Sequence, residues 1–151
     1  MPDILISQSR TIPAPAALVY EILADYRSGH PSILPPDYFG ALEVLAGGRG
    51  EGTLIRFEMK AFGKLNVSVA TVTEPVPGRE LRETLSDGIV TTFLVEPLGT
   101  TRCRVEITTA YSKQGLRGWV ERFLGTAYLR RVYVAELAQL ERVAGDRYRA
   151  T

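Results

Sequence analysis

Apolar and polar residues alternate along most of the chain up to Tyr111, and beyond it the period changes. Ile4 and Ile6 alternate with polar neighbours and predict a first strand over Ile4 to Ile12, ended by Pro13 and Pro15. Leu18, Val19, Ile22 and Leu23 then recur at helical spacing and predict a short helix to about Ala24. Pro15 suits its first turn, because it lacks only an N–H that would be unpaired there. The stretch from Asp25 to Pro36 is rich in Pro, Ser and Gly and reads as an irregular segment or a short second helix.

Phe39 to Leu45 predicts a second strand, stopped by Gly47, Gly48 and Gly50. Ile55, Phe57 and Met59 alternate with Arg56, Glu58 and Lys60, and Leu65, Val67 and Val69 do the same in the strand after. A three-residue loop of Ala61, Phe62 and Gly63 would keep both apolar sets on one face. Glu80 to Leu85 and Ile89 to Glu96 flank Asp87-Gly88, a strong hairpin signal. A two-residue turn there sets Leu85 opposite Val90, Glu83 opposite Thr92 and Leu81 opposite Leu94. Thr101 to Tyr111 is the last strand.

From about Gly115 to Val143 the spacing is that of one long amphipathic helix, with Leu116, Val120, Phe123, Ala127, Val134, Leu137 and Leu140 on its apolar stripe. A long terminal helix laid across a curved antiparallel sheet tends to leave a space between the two. The fold class expected is α+β: about seven strands wrapped around a C-terminal helix, with an internal cavity, as one domain over residues 1–151.

Charge narrows the function classes. Lys and Arg number 18 against 17 Asp and Glu, so no global field favours nucleic acid or an anionic membrane. Arg117, Arg122, Arg130 and Arg131 make the last helix locally basic, as a solvated face does. No apolar run is long enough to span a bilayer, so stable membrane insertion is not expected. Met-Pro-Asp-Ile lacks the basic region and apolar core of a secretion signal, which points to a cytoplasmic location. Cys103 is the single cysteine and His30 the single histidine, so neither an intrachain disulfide nor a Cys or His cluster for metal is available. No cofactor or metal is expected. The glycine-rich "GGRGEG" has no following helix and no Lys-Ser/Thr pair, and reads as a flexible strand connection.

The opening strand followed by "PAPAALVYEILADY", the strand-turn-strand "EPLGTTRCRVEI" and the closing "LRGWVERFLGTAYLRRVYVAELAQLE" resemble the helix-grip fold of the START and birch-pollen-allergen-like superfamily, in particular its SRPBCC branch of polyketide cyclase/dehydrase and lipid-transport proteins. The resemblance covers nearly the whole chain. It implies an apolar or amphipathic ligand held between sheet and helix. It carries no universal catalytic residue.

On that arrangement Ile55, Phe57, Met59, Val67, Val69, Leu81, Leu85, Val90, Thr92 and Leu94 would line the sheet side of the cavity. Trp119, Phe123, Ala127 and Tyr128 would line the helix side. Tyr38, Tyr111 and Tyr128 would offer hydroxyls to a ligand carbonyl. Glu83, on the face of Leu81 and Leu85, is the sharpest candidate for acid–base work or for anchoring a ligand hydroxyl. A three-residue hairpin loop would instead turn it outward. His30 is a candidate base if Asp25, Asp37 or Tyr38 partners it, and otherwise a solvated loop residue that helps gate the cavity with Pro31 and Tyr38. Cys103, among alternating apolar residues, reads as a buried structural thiol.

The leading expectation is binding of a hydrophobic or amphipathic small molecule. The alternatives are a cyclase, dehydratase or isomerase that uses Glu83 or His30, and a ligand-free interaction module. Trp119, Leu129 and Tyr133, off the main helix stripe, would make the apolar patch of such a module or of a homodimer.

Overall fold

The computed structural model describes residues 4–61, 63–111 and 125–151. Seven antiparallel strands form one sheet: β1 (Ile4–Ile12), β2 (Phe39–Ala46), β3 (Leu54–Ala61), β4 (Lys64–Val76), β5 (Glu80–Leu85), β6 (Val90–Pro97) and β7 (Cys103–Tyr111). Their order across the sheet is β1-β7-β6-β5-β4-β3-β2, so β1 and β2 are the edges. Helices α1 (Ala16–Ala24) and α2 (Gly29–Ile33) follow β1, and α3 (Gly125–Ala150) closes the chain. This open, curved sheet with a long C-terminal helix is the helix-grip arrangement. The expected helix start at Gly115, with Trp119 and Phe123, lies outside the described residues.

Two turns set which side chains face the helix. Leu85 N–H donates to Ile89 and Gly88 N–H to Leu85, so Ser86, Asp87 and Gly88 form a three-residue loop. Gly88, at φ 93°, supplies the left-handed position that such a loop needs. The register is therefore Leu81 with Phe93, Glu83 with Thr91 and Thr84 with Val90, one residue away from the two-residue expectation. The extra residue turns β6 over rather than β5. Thr91, Phe93 and Val95 are buried on the inner face, while Val90, Thr92 and Leu94 take the outer one. Glu83 stays inside with Leu81.

The β3–β4 turn errs the other way. Ala61 pairs with Lys64 and Lys60 with Leu65, so the loop is shorter than the expected three residues. Leu65 and Val67, about half exposed, and Val69 fall on the outer face opposite Lys60, Glu58 and Arg56. Asn66, Ser68, Ala70 and Val72 take the inner one, with Ala70 and Val72 fully buried.

In α3 the buried stripe runs Leu129, Val132, Tyr133, Glu136, Leu137, Leu140 and Ala144, the i, i+3, i+4 pattern of a helix face. Val134 is 49% exposed and Ala127 is also exposed, so the stripe lies one position from the expected phase. Leu129 and Tyr133, expected on an outer patch, point inward. Glu136 is what hid this face, because a carboxylate breaks the apolar pattern there. The helix packs against β1, α1 and α2. Gln139 reaches the Ser32 carbonyl and Arg10 pairs with Glu141. Cys103 is fully buried, and burial pushes its thiol up to about 11, which suits packing rather than nucleophilic attack.

The "GGRGEG" loop is pinned rather than free. Tyr26 N–H donates to Gly48, Gly50 N–H to Ala24, and the Arg49 guanidinium pairs with Glu21 of α1. Glu74 accepts from Glu51 N–H and from the Tyr20 hydroxyl, closing the loop onto β4 and α1.

Candidate functional site

The turn from α1 to α2 is built by Asp25. Its carboxylate accepts from the Ser28 hydroxyl at 2.6 Å and from the N–H groups of Arg27, Ser28 and Gly29. These bonds, the Ser28 hydroxyl first, hold its carboxyl down at about 2. Gly29 follows because a Cβ there would lie 2.5 Å from the Ile22 carbonyl oxygen, so a side chain would force α2 off α1. Asp25→Ala is expected to cost about 1 kcal/mol, the usual worth of such a capping carboxylate. Because the folded value lies below the ordinary aspartate value of about 3.9, this contribution is complete above about pH 4 and disappears as pH falls toward 2. Thermal melts of the variant against the parent should therefore converge at low pH.

That turn delivers His30 into the interior, where it is only 3% exposed, rather than to a solvated loop. Its Nδ1 lies 2.7 Å from the Leu23 carbonyl oxygen. A carbonyl only accepts, so Nδ1 carries a proton and Nε2 is left to face Glu83 Oε2 at 3.6 Å. The imidazole stacks on Tyr26 at 4.4 Å and meets the edge of Phe93 at 5.3 Å. The Tyr26 hydroxyl donates to the same Glu83 oxygen at 2.6 Å. Burial, and then the Glu83 charge, push the Tyr26 phenol well above its ordinary value, so it remains a donor. The partners of His30 are thus Leu23, Tyr26 and Glu83, and Asp25, one of its expected partners, serves the turn instead.

A cavity of about 280 Å³ opens on this cluster, between the inner sheet face and α3. Phe39, Leu42, Ile55, Phe57, Met59, Leu85, Ile89, Phe93 and Leu129 give it an apolar wall. Polar positions enter from Asn66, Ser68, Thr91, Thr109, Tyr111 and Tyr133. Thr91, Thr109 and Tyr133 are linked by their hydroxyls. Val67 and Asp87 reach the wall although both are solvent-exposed, which marks where the cavity meets water.

Glu136 is the decisive addition from α3. It lines the cavity, is 2% exposed, and has no hydrogen bond or ion pair among the described residues. Burial, and then the charge of Glu83, push its carboxyl well above the usual carboxylate range. Two carboxyl groups thus line one apolar cavity.

Of the residues expected on the wall, Ile55, Phe57, Met59, Val67, Glu83, Leu85 and Tyr111 lie on it, together with His30. Leu81 is buried but absent from the wall. Val69, Val90, Thr92 and Leu94 face outward through the two register differences, and Ala127 is exposed. Tyr38 and Tyr128 meet edge to face at 5.7 Å, with the Tyr128 hydroxyl on the Lys60 carbonyl, and clasp α3 to the end of β3. Sequence reasoning missed Thr91, Phe93, Leu129, Tyr133 and Glu136. Phe93 and Val95 on one parity of β6 were the available signal for the first two.

Fold and site together define a helix-grip protein with a polar cluster inside an apolar cavity. Residues 3–145 match the family described as polyketide cyclase / dehydrase and lipid transport, and the chain belongs to that family. Similar solved structures include the KanY protein, at 25% identity and TM-score 0.81 over 96% of this chain and 99% of that one. The Zhui aromatase/cyclase of Streptomyces sp. R1128 is similar at 24% identity and TM-score 0.75, over 95% and 94% of the two chains. Norcoclaurine synthase of Thalictrum flavum, solved with dopamine and hydroxybenzaldehyde, has the same fold at 16% identity and TM-score 0.68, over 95% and 87%. No curated protein matches the chain. No described helix is long and apolar enough to cross a membrane.

Proposed function

We propose that the protein binds a compact apolar or amphipathic small molecule in the cavity between the sheet and α3. The observation that carries this is the cavity itself, apolar over most of its wall, with His30, Glu83 and Glu136 at its polar part. Small-molecule sites usually combine such a wall with a few placed polar groups. Side chains that bury an unpartnered carboxyl cost stability, and cavities that keep them do so most often for a ligand. At about 280 Å³ the space lies just under the ordinary range of roughly 300–1,000 Å³ and suits a one- or two-ring compound better than a diacyl lipid.

A second reading, proton-transfer catalysis of the cyclase, dehydratase or isomerase kind, is favoured by one specific feature. Glu136 holds its proton tightly beside Glu83, which accepts the Tyr26 hydroxyl and faces the His30 imidazole. An acid and a base facing one substrate is the arrangement such reactions use.

Native mass spectrometry of the purified protein against its denatured spectrum tests the binding reading. A copurified small mass, lost on denaturation, is the expected result. A clean apo spectrum that stays apo in the presence of millimolar bicyclic aromatics would support a ligand-free interaction module instead.

A further inference from the structure

The cavity wall is acidic as well as apolar. Glu83, Glu136 and Asp87 lie on it, and His30 is its only basic side chain among the described residues. Glu83 Oε2 already takes the Tyr26 hydroxyl, whereas no described residue donates to its other oxygen or to Glu136. Among the described residues Glu136 thus turns a carboxyl group without a hydrogen-bond partner into the cavity, from a position 98% removed from solvent.

We propose that the cavity selects a ligand carrying a protonated amine on a small apolar or aromatic body, with the ammonium group held between Glu83 and Glu136. This rests on the ligand-binding reading above. An ammonium group brings several N–H donors and no acceptor, the complement of carboxyl oxygens to which no described residue donates. Phe39, Phe57 and Phe93 line the same cavity, and aromatic rings attract cations once water is excluded. A carboxylate ligand would meet the Glu83 charge in a desolvated space. A neutral alcohol would offer one donor and no charge to balance that of Glu83. A metal ion is poorly served, since no group of three metal-ligating side chains converges among the described residues.

Binding is linked to protons. Among the described residues, the titratable groups that share the cavity or interact with Glu136 are Glu83 from β5, Asp87 from the β5–β6 turn, His30 from α2, Tyr26 after α1, Tyr111 from β7 and Tyr133 from α3 itself. Burial and the Glu83 charge favour the proton on Glu136 while the site is empty. A bound ammonium reverses that preference, so a proton leaves as the cation enters. Affinity for an amine then rises as pH climbs above the ordinary glutamate value of about 4.3, until the amine itself loses its proton.

The test is calorimetric titration with three probes that share one bicyclic body: 2-naphthylmethylamine, 2-naphthalenemethanol and 2-naphthoate. The amine is expected to bind about tenfold or more tightly than the alcohol, and the carboxylate more weakly than either. Repeating the amine titration in buffers of different ionisation enthalpy should show proton release. In Glu136→Gln, a variant expected to fold at least as stably as the parent, the preference for amine over alcohol should shrink to less than about threefold. If alcohol and amine bind equally, or the carboxylate binds best, the cation proposal is overturned while the cavity remains a ligand site. If none of the three binds, the ligand-binding reading and this proposal fall together.

Discussion

Phe93→Ala is expected to destabilise the protein by about 3–5 kcal/mol, the usual cost of emptying a buried aromatic position. Phe93 is 2% exposed, sits opposite Leu81 in the β5–β6 ladder, and packs its ring against the His30 imidazole. Removing it joins a new void to the existing cavity and frees one side of His30, so relaxation can recover little. Against a total stability of roughly 5–15 kcal/mol the change is large. It should lower the melting temperature by roughly 6–20 °C for a chain of this length. Chemical denaturation of Phe93→Ala beside Leu94→Ala checks it. Leu94 is half-buried on the outer face and should cost well under half as much. A two-residue turn at Asp87-Gly88 would predict the reverse order, so the pair of variants also reads the register.

The second large effect has the opposite sign. Glu136→Gln should stabilise the protein at pH 8. The amide keeps the shape of the side chain and removes a group that must either ionise in the interior or hold a proton against bulk pH. That cost is about 1.4 kcal/mol for each pH unit between the unfolded and folded values. The folded state holds the Glu136 proton more tightly than the unfolded chain does, because burial and Glu83 disfavour its charge. Glu136 therefore contributes its full share of stability below the unfolded value of about 4.3 and loses it as pH rises toward the folded value. Melting temperature should fall with rising pH across that window in the parent and stay flatter in the glutamine variant. Equal slopes for the two proteins would mean that Glu136 does not titrate differently on folding. A residue that costs stability at neutral pH and lines a cavity is better explained by a ligand than by packing.

The parts legible in the sequence were those that depend on local period. The bounds of β1 and β5 follow from alternation alone, and α1 from Pro15 and its apolar stripe. What alternation does not carry is the phase between neighbours. A hairpin loop longer or shorter by one residue exchanges the two faces of a strand, and Asp87-Gly88 is compatible with both lengths. Gly88 in the third loop position and the Asp87 carboxylate on Ile89 N–H decide it in favour of three. The inner face of β4 shows the second difficulty. Asn66 and Ser68 point at the cavity while Leu65 is exposed and Val67 meets the wall only at its solvent edge, so the apolar parity there names the wrong side. Glu136 does the same to α3. Polar residues on an inner face are what a ligand site requires, and they are the residues that blur a hydrophobic pattern. His30 was hidden for another reason: nothing in its own neighbourhood shows that Asp25 folds the Pro- and Ser-rich segment into a turn aimed at Glu83.

The most direct test of the central claim is a methyl NMR titration with 2-naphthalenemethanol as probe. If the space between sheet and α3 is a ligand site, shifts should concentrate at Ile55, Leu85, Ile89 and Leu129 on the cavity wall. The exposed methyls of Leu5, Leu45 and Leu98 should stay still. Shifts scattered over those exposed positions, or none at the wall under saturating probe, would contradict it.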